Sequence, residues 1–176
     1  MIIFQSKYGS TRRYAQWLAE MTKGDVFSIN DFDGVRLKHY QTVIFGSSTH
    51  MGKIKSIDFI KRYWSILQDK TVIVFATSGT PSVGSKEKEI IEKNLPHAAR
   101  GRVVCFPLPG AYSYHQLDWK DKLLMNGPRW KLLFQWYFTK DPEAFKNLRN
   151  FYIPQDWTNK DALKPLLTFL NTKRKE

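Results

Sequence analysis

Five short apolar runs, each closed by turn residues and separated by amphipathic stretches, leave this chain few ways to fold. Met1–Gln5, Val26–Ile29, Thr42–Gly46, Thr71–Ala76 and Arg102–Phe106 read as strands. Three of them are apolar almost throughout, as strands covered on both faces must be. Between them, Thr11–Met21 sets Tyr14, Trp17, Leu18 and Met21 at helical spacing, and Ile57–Leu67 does the same with Ile57, Ile60, Trp64 and Leu67. Ser85–Leu95 is a more polar helix with Ile90, Ile91 and Leu95 turned inward. Strand alternating with helix predicts an α/β, doubly wound, five-stranded parallel sheet joined by right-handed crossovers, with the ligand crevice at the carboxyl ends of the strands.

A length of 176 residues fits a single domain, read as 1–176 with an insertion at about 108–158. With 42% apolar and 25% charged residues a packed core is expected and disorder is not. The net charge of +12 asks for an anionic partner: a phosphate, a nucleic acid or a membrane surface. The lone cysteine excludes a disulfide framework and a Cys-rich zinc site, and Cys105 reads as a small buried hydrophobe of strand five. His39, His97 and His115 are scattered and predict no metal site. The N-terminus has no basic region ahead of a long apolar stretch, and no apolar run is long enough to span a bilayer. The expectation is a soluble, cytoplasmic domain.

Strand one runs into Ser6-Lys7-Tyr8-Gly9-Ser10-Thr11, and a helix follows at once. The loop offers hydroxyls, a glycine that lets backbone come close, and the amides of a helix N-terminus, which is what a phosphate needs. Two uses compete for these groups: Ser10 or Thr11 can cap the helix, or the amides can take a phosphate, and the position after strand one favours phosphate. The stretch Gly79–Lys86 imitates a P-loop, but Ser85 intervenes between the second glycine and Lys86, and Pro81 removes an amide. It reads as a turn followed by a Ser-capped helix.

The run Ser6–Thr11 after an N-terminal strand resembles the FMN-phosphate loop of the flavodoxin family. The resemblance implies a flavodoxin-like sheet of order 2-1-3-4-5, with FMN as cofactor. It assigns the phosphate to Ser6, Tyr8, Gly9, Ser10 and Thr11, through amides and hydroxyls. It assigns the isoalloxazine ring to Ser48, Thr49, His50, Met51 and Gly52 on one side and Thr77, Ser78, Gly79 and Thr80 on the other. Both ring loops lack the aromatic residues that many flavodoxins place there, so His50 and Met51 are the residues set to flank the ring. His50, which titrates near neutrality, is the candidate catalytic group for handling a proton. Lys53, Lys55, Lys61 and Arg62 follow that loop and offer a basic rim, or simply a solvated face.

The segment after strand five is built differently. It gathers Trp119, Trp130, Trp136 and Trp157, four of the six tryptophans. Asp118–Met125 predicts a helix capped by Asp118, Gly127-Pro128 is expected to end it, and Trp130–Phe138 resumes with only Lys131 and Gln135 polar. So narrow a polar stripe suits burial, a contact between copies, an apolar ligand or a membrane interface. Gly110-Ala111, the aromatic basic helix Trp119–Met125, Asp156-Trp157 and the closing helix Asp161–Leu170 together are similar to the menaquinone-dependent protoporphyrinogen oxidases. That resemblance implies oxidation of an anionic tetrapyrrole through FMN, with electrons passed to a quinone, in a protein held peripherally on the inner face of the cell membrane.

Three functions therefore stand side by side: an FMN-dependent dehydrogenase of that kind, a flavodoxin-type electron carrier with an acidic redox partner protein, and a flavin-free basic module binding nucleic acid or protein. Nucleic acid is disfavoured by the lack of a reading motif or a dense Lys/Arg stripe. A homo-oligomer is compatible with the first two.

Overall fold

The structure is a computed structural model and describes residues 1–173. Five parallel strands, β1 (Ile2–Phe4), β2 (Val26–Ser28), β3 (Thr42–His50), β5 (Thr71–Ser78) and β6 (Val104–Pro109), lie in the order β2-β1-β3-β5-β6. Counted among themselves this is the expected 2-1-3-4-5. A short strand, β4 (Lys53–Ile54), pairs antiparallel with the end of β3 and was not foreseen from the sequence.

The strand residues alternate between two buried layers. Ile3, Val43, Phe45, Val72, Val74 and Cys105 face one way and pack with Phe59, Ile60 and Leu67 of α2 (Asp58–Arg62) and α3 (Trp64–Leu67) and with Ile91 of α4 (Ser85–Asn94). Ile2, Ile44, Ile73, Phe75 and Leu108 face the other way, against α1 (Ser10–Thr22) and α7 (Lys164–Lys173). Each fully buried large side chain contributes about 1.5–3 kcal/mol. Both sheet faces are thus occupied, which explains why these strands read as unbroken apolar runs.

Several helices depart from expectation in detail. On α1 the buried set is Thr11, Tyr14, Ala15 and Leu18, one true helical stripe, while Met21, in the last turn of the helix, is exposed. The span 57–67 is two helices, interrupted at Tyr63, whose ring lies where a Cβ on Gly34 would be. The helix α4 is not capped by Ser85: Gly84 is the N-cap, and Glu87 reaches back 2.8 Å to accept from its amide.

Ala111–Asp156 forms a compact unit of its own, the rest of the chain forming the other. It opens and closes with the two-residue strands β7 (Ala111–Tyr112) and β8 (Gln155–Asp156), paired antiparallel. Between them run α5 (Trp119–Thr139) and α6 (Pro142–Asn150). Asp118 caps α5 by accepting from the Asp121 amide at 2.8 Å, as its sequence suggests. Gly127-Pro128 does not end that helix, which continues through both residues. Pro128 cannot donate to the Leu124 carbonyl four residues back, but its fixed φ is itself helical, and Gly127 lacks the Cβ that takes part of the clash on the preceding residue. Trp136 of α5 packs on Phe145 of α6 at 5.6 Å between ring centroids.

Candidate functional site

The strands β1, β3 and β5 are neighbours, so the three loops that leave their carboxyl ends share one edge of the sheet. Ser48 pairs with Thr77 in the ladder, and the Gln5 amide donates to the Gly46 carbonyl at 2.9 Å. Ser6–Thr11, Ser47–Lys53 and Thr77–Thr80 are therefore brought together by strand pairing alone.

In the first loop the backbone turns at Gly9, with φ of 98°, a left-handed conformation open to glycine at no cost. Gly9 is also the N-cap of α1, and it has no side chain to offer the first-turn amides. Neither Ser10 nor Thr11 occupies that capping position, so the capping use of these residues does not hold. The Ser6 hydroxyl accepts from the Gly9 amide at 3.1 Å and shapes the turn. Tyr8 is exposed, with the Lys7 ammonium 5.1 Å from its ring centre. The first turn of α1 holds no acidic residue and continues Ser10-Thr11-Arg12-Arg13. Cations here oppose the helix dipole by about 0.3–1 kcal/mol each. Arg13 is turned to Thr158, whose hydroxyl accepts from its guanidinium at 2.6 Å, and Arg12 is exposed, so the helix start carries positive charge that an anion would offset.

Thr11 and Thr77 are both buried, and their hydroxyls meet at 3.0 Å. Their side chains are thereby occupied beneath the loops, where they set the spacing between the first and third of them. Ser78 and Thr80 hydroxyls meet at 3.0 Å, and the Thr80 hydroxyl donates to the Ser82 carbonyl at 3.1 Å, closing the turn around the exposed Gly79. Here the P-loop imitation fails electrostatically as well, since the Glu87 carboxylate already occupies the N-terminus of α4.

The middle segment is a hairpin rather than an open loop. Thr49 and His50 pair with Ile54 and Lys53, and Met51 and Gly52 form the tip with φ of 48° and 76°. Two successive positive φ values match the turn that follows the natural twist of a hairpin. Met51 sits in a conformation that a long side chain seldom adopts, and that side chain is exposed. Ser48 lies one step deeper, its carbonyl accepting from the Lys55 amide at 3.3 Å. Of the basic rim, Lys53 lies in β4 opposite His50, Lys55 is half-buried, and Lys61 and Arg62 are exposed at the end of α2.

Two features lie outside the loops read from the sequence. One is the place of Arg12 in the first turn of α1, whose signal was available: a base there breaks the usual charge preference. The other is Asn94, at the far end of α4. Its Nδ2 donates to the Gly52 carbonyl at 2.8 Å and its Oδ1 accepts from the Ile54 amide at 3.1 Å, so one side chain clamps the tip of the hairpin and its returning strand. No local pattern announces a contact 42 residues away in sequence.

The family model for the flavodoxin domain matches residues 1–132. No curated protein sequence matches the chain. Among solved structures, rubredoxin oxygen:oxidoreductase from Desulfovibrio gigas is similar at 17% identity and a TM-score of 0.46 over 61% of this chain, which spans only 29% of that enzyme. A WrbA-like flavodoxin from Agrobacterium tumefaciens is similar at 24% identity and a TM-score of 0.45, covering 58% of this chain and 73% of that one. Flavodoxin 1 of Bacillus cereus is similar at 16% identity and a TM-score of 0.41, covering 61% of this chain and 82% of that one.

Proposed function

This chain belongs to the flavodoxin domain family, and from that premise we propose that it is an FMN-dependent oxidoreductase that takes electrons from an anionic tetrapyrrole and passes them to a quinone. Flavodoxin-domain membership makes it an FMN-binding redox protein. The observation that carries the cofactor to this site is the start of α1: a glycine N-cap with left-handed φ and two arginines in or beside the first turn, at the end of the central strand β1. These residues fit a phosphate monoester better than any other group, since a dianion turns an unfavourable helix start into a favourable one.

When bound, the flavin supplies the electron-transfer chemistry. The protein's part is to hold and to shield. The amides of Ser10 and Thr11, with the hydroxyls of Ser6 and Ser10 and the backbone of Tyr8, would receive the phosphate, while Gly9, its amide donating to Ser6, supplies the turn. Ser48, Thr49, Met51 and Gly52 on the hairpin, and Thr77, Ser78, Gly79 and Thr80 opposite, would hold the ring, largely by backbone groups. His50, the last residue of β3, is the side chain we assign to hold or move a proton. The tetrapyrrole and quinone rest on the resemblance of Gly110-Ala111, the aromatic insertion, Asp156-Trp157 and the closing helix. The basic residues Lys53, Lys55, Lys61 and Arg62 support an anionic substrate, since carboxylate side arms would find cations there.

The purified protein is expected to release stoichiometric FMN on denaturation, or to take it up on reconstitution, with the visible absorbance of a flavoprotein. Under anaerobic conditions protoporphyrinogen should bleach that absorbance and a menaquinone analogue restore it. Bound FMN without tetrapyrrole oxidation would leave an electron carrier; absence of flavin binding after reconstitution would overturn the oxidoreductase reading altogether.

A further inference from the structure

We infer that the outer face of α5 is a docking surface for a lipid leaflet with anionic headgroups. Trp119, Leu123, Trp130, Phe134, Tyr137 and Phe138 are all exposed, five of the six by 63–65%. Their spacing of three and four residues puts them on one face of the helix along its whole length. Over 21 residues that face runs about 30 Å. A soluble surface rarely leaves so long an apolar stripe uncovered.

Charge selects the occupant. Helical spacing sets Lys120 and Lys131 along one edge of the stripe and Lys122 along the other, and the Lys120 ammonium stands 5.5 Å from the Trp119 ring centre. The only acid in α5 is Asp121, which is buried and turned from the stripe. An apolar face edged by lysines is what a helix lying flat in an anionic interface presents: rings at headgroup depth, ammonium groups among the phosphates. A symmetric contact of α5 with α5 of a second copy would instead bring these like-charged edges together, with no exposed acid on the helix to meet them. Among the described residues no helix is long and apolar enough to cross a membrane, so the contact is in the plane of the surface. The inference rests on the insertion alone and stands apart from the flavin reading.

Flotation of the full chain with vesicles tests it. The vesicles are phosphatidylcholine alone, or phosphatidylcholine with phosphatidylglycerol, free of quinone and tetrapyrrole. The protein is expected to float with the phosphatidylglycerol vesicles only, and less so as salt rises. Trp130→Glu combined with Phe134→Glu should abolish flotation, with circular dichroism and thermal midpoint unchanged because both side chains are exposed. Lys120→Ala and Lys131→Ala should each lower partitioning about fivefold. No flotation of the parent chain, or undiminished flotation of the double variant, overturns the proposal. A lipid-free dimer dissolved by the same double variant overturns it too and assigns the stripe to a second copy.

Discussion

Asn94 holds the Met51–Gly52 hairpin by its tip and its returning strand, so its amide matters more than its distance in sequence suggests. Asn94→Ala removes the acceptor of the buried Ile54 amide and the donor to the Gly52 carbonyl, and an unpartnered buried group costs about 1–3 kcal/mol. Hydrogen exchange at Ile54 should accelerate markedly and FMN affinity should fall several-fold, with Asn94→Asp in between because it retains only the acceptor. Equal exchange in all three proteins would remove Asn94 from the site. At this scale the sequence was legible for where the loops lie, since Ser6–Thr11 and Thr77–Thr80 do lie at the carboxyl ends of β1 and β5, the strands on either side of β3. It was not legible where a side chain serves a distant backbone, nor where a hydroxyl turns inward, as those of Thr11 and Thr77 do to meet each other.

Among elements, α1 gives the sharpest prediction, because its own stability and its ligand pull in opposite directions. Arg12→Glu places an anion where the helix dipole favours one, and should stabilise the flavin-free protein by about 1 kcal/mol. The same change should weaken FMN binding about tenfold or more while sparing riboflavin, which has no phosphate. A parallel change in stability and affinity would show that Arg12 does not face the phosphate. The strands β1, β3, β5 and β6 were readable because side chains on both of their faces are buried, which leaves an apolar run no loop could share, whereas the edge strand β2, with Val26 exposed, was marked only by its short Val26–Ile29 run. The helix α6 was not singled out, although Asp141-Pro142-Glu143 is a regular helix opening with Asp141 as cap, its carboxylate 2.9 Å from the Glu143 amide. The strands β4, β7 and β8 have two residues each, too few for any periodicity, and they exist only by virtue of partners elsewhere in the chain.

For the whole molecule, Cys105 is a built-in reporter of opening. Burial in the core pushes its thiol up to about 12, so it is uncharged at neutral pH and out of reach of reagents until the core opens. Labelling by a thiol reagent should therefore track global unfolding. FMN at about one hundred times its dissociation constant stabilises the native state by about 2.7 kcal/mol and should slow that labelling about 100-fold. Labelling indifferent to FMN would mean either that no flavin binds or that Cys105 is reached by a local path, and absorbance separates the two. The insertion adds a property that belongs to lineage rather than to chemistry. The Trp157 amide donates to the Gly110 carbonyl at 3.0 Å, so the chain leaves the sheet and re-enters it at almost the same point. Lengthening a segment tied off in this way costs only about 0.6 kcal/mol per doubling. What lies between Gly110 and Trp157 can be rewritten, shortened or exchanged over evolutionary time while the parallel sheet keeps its register.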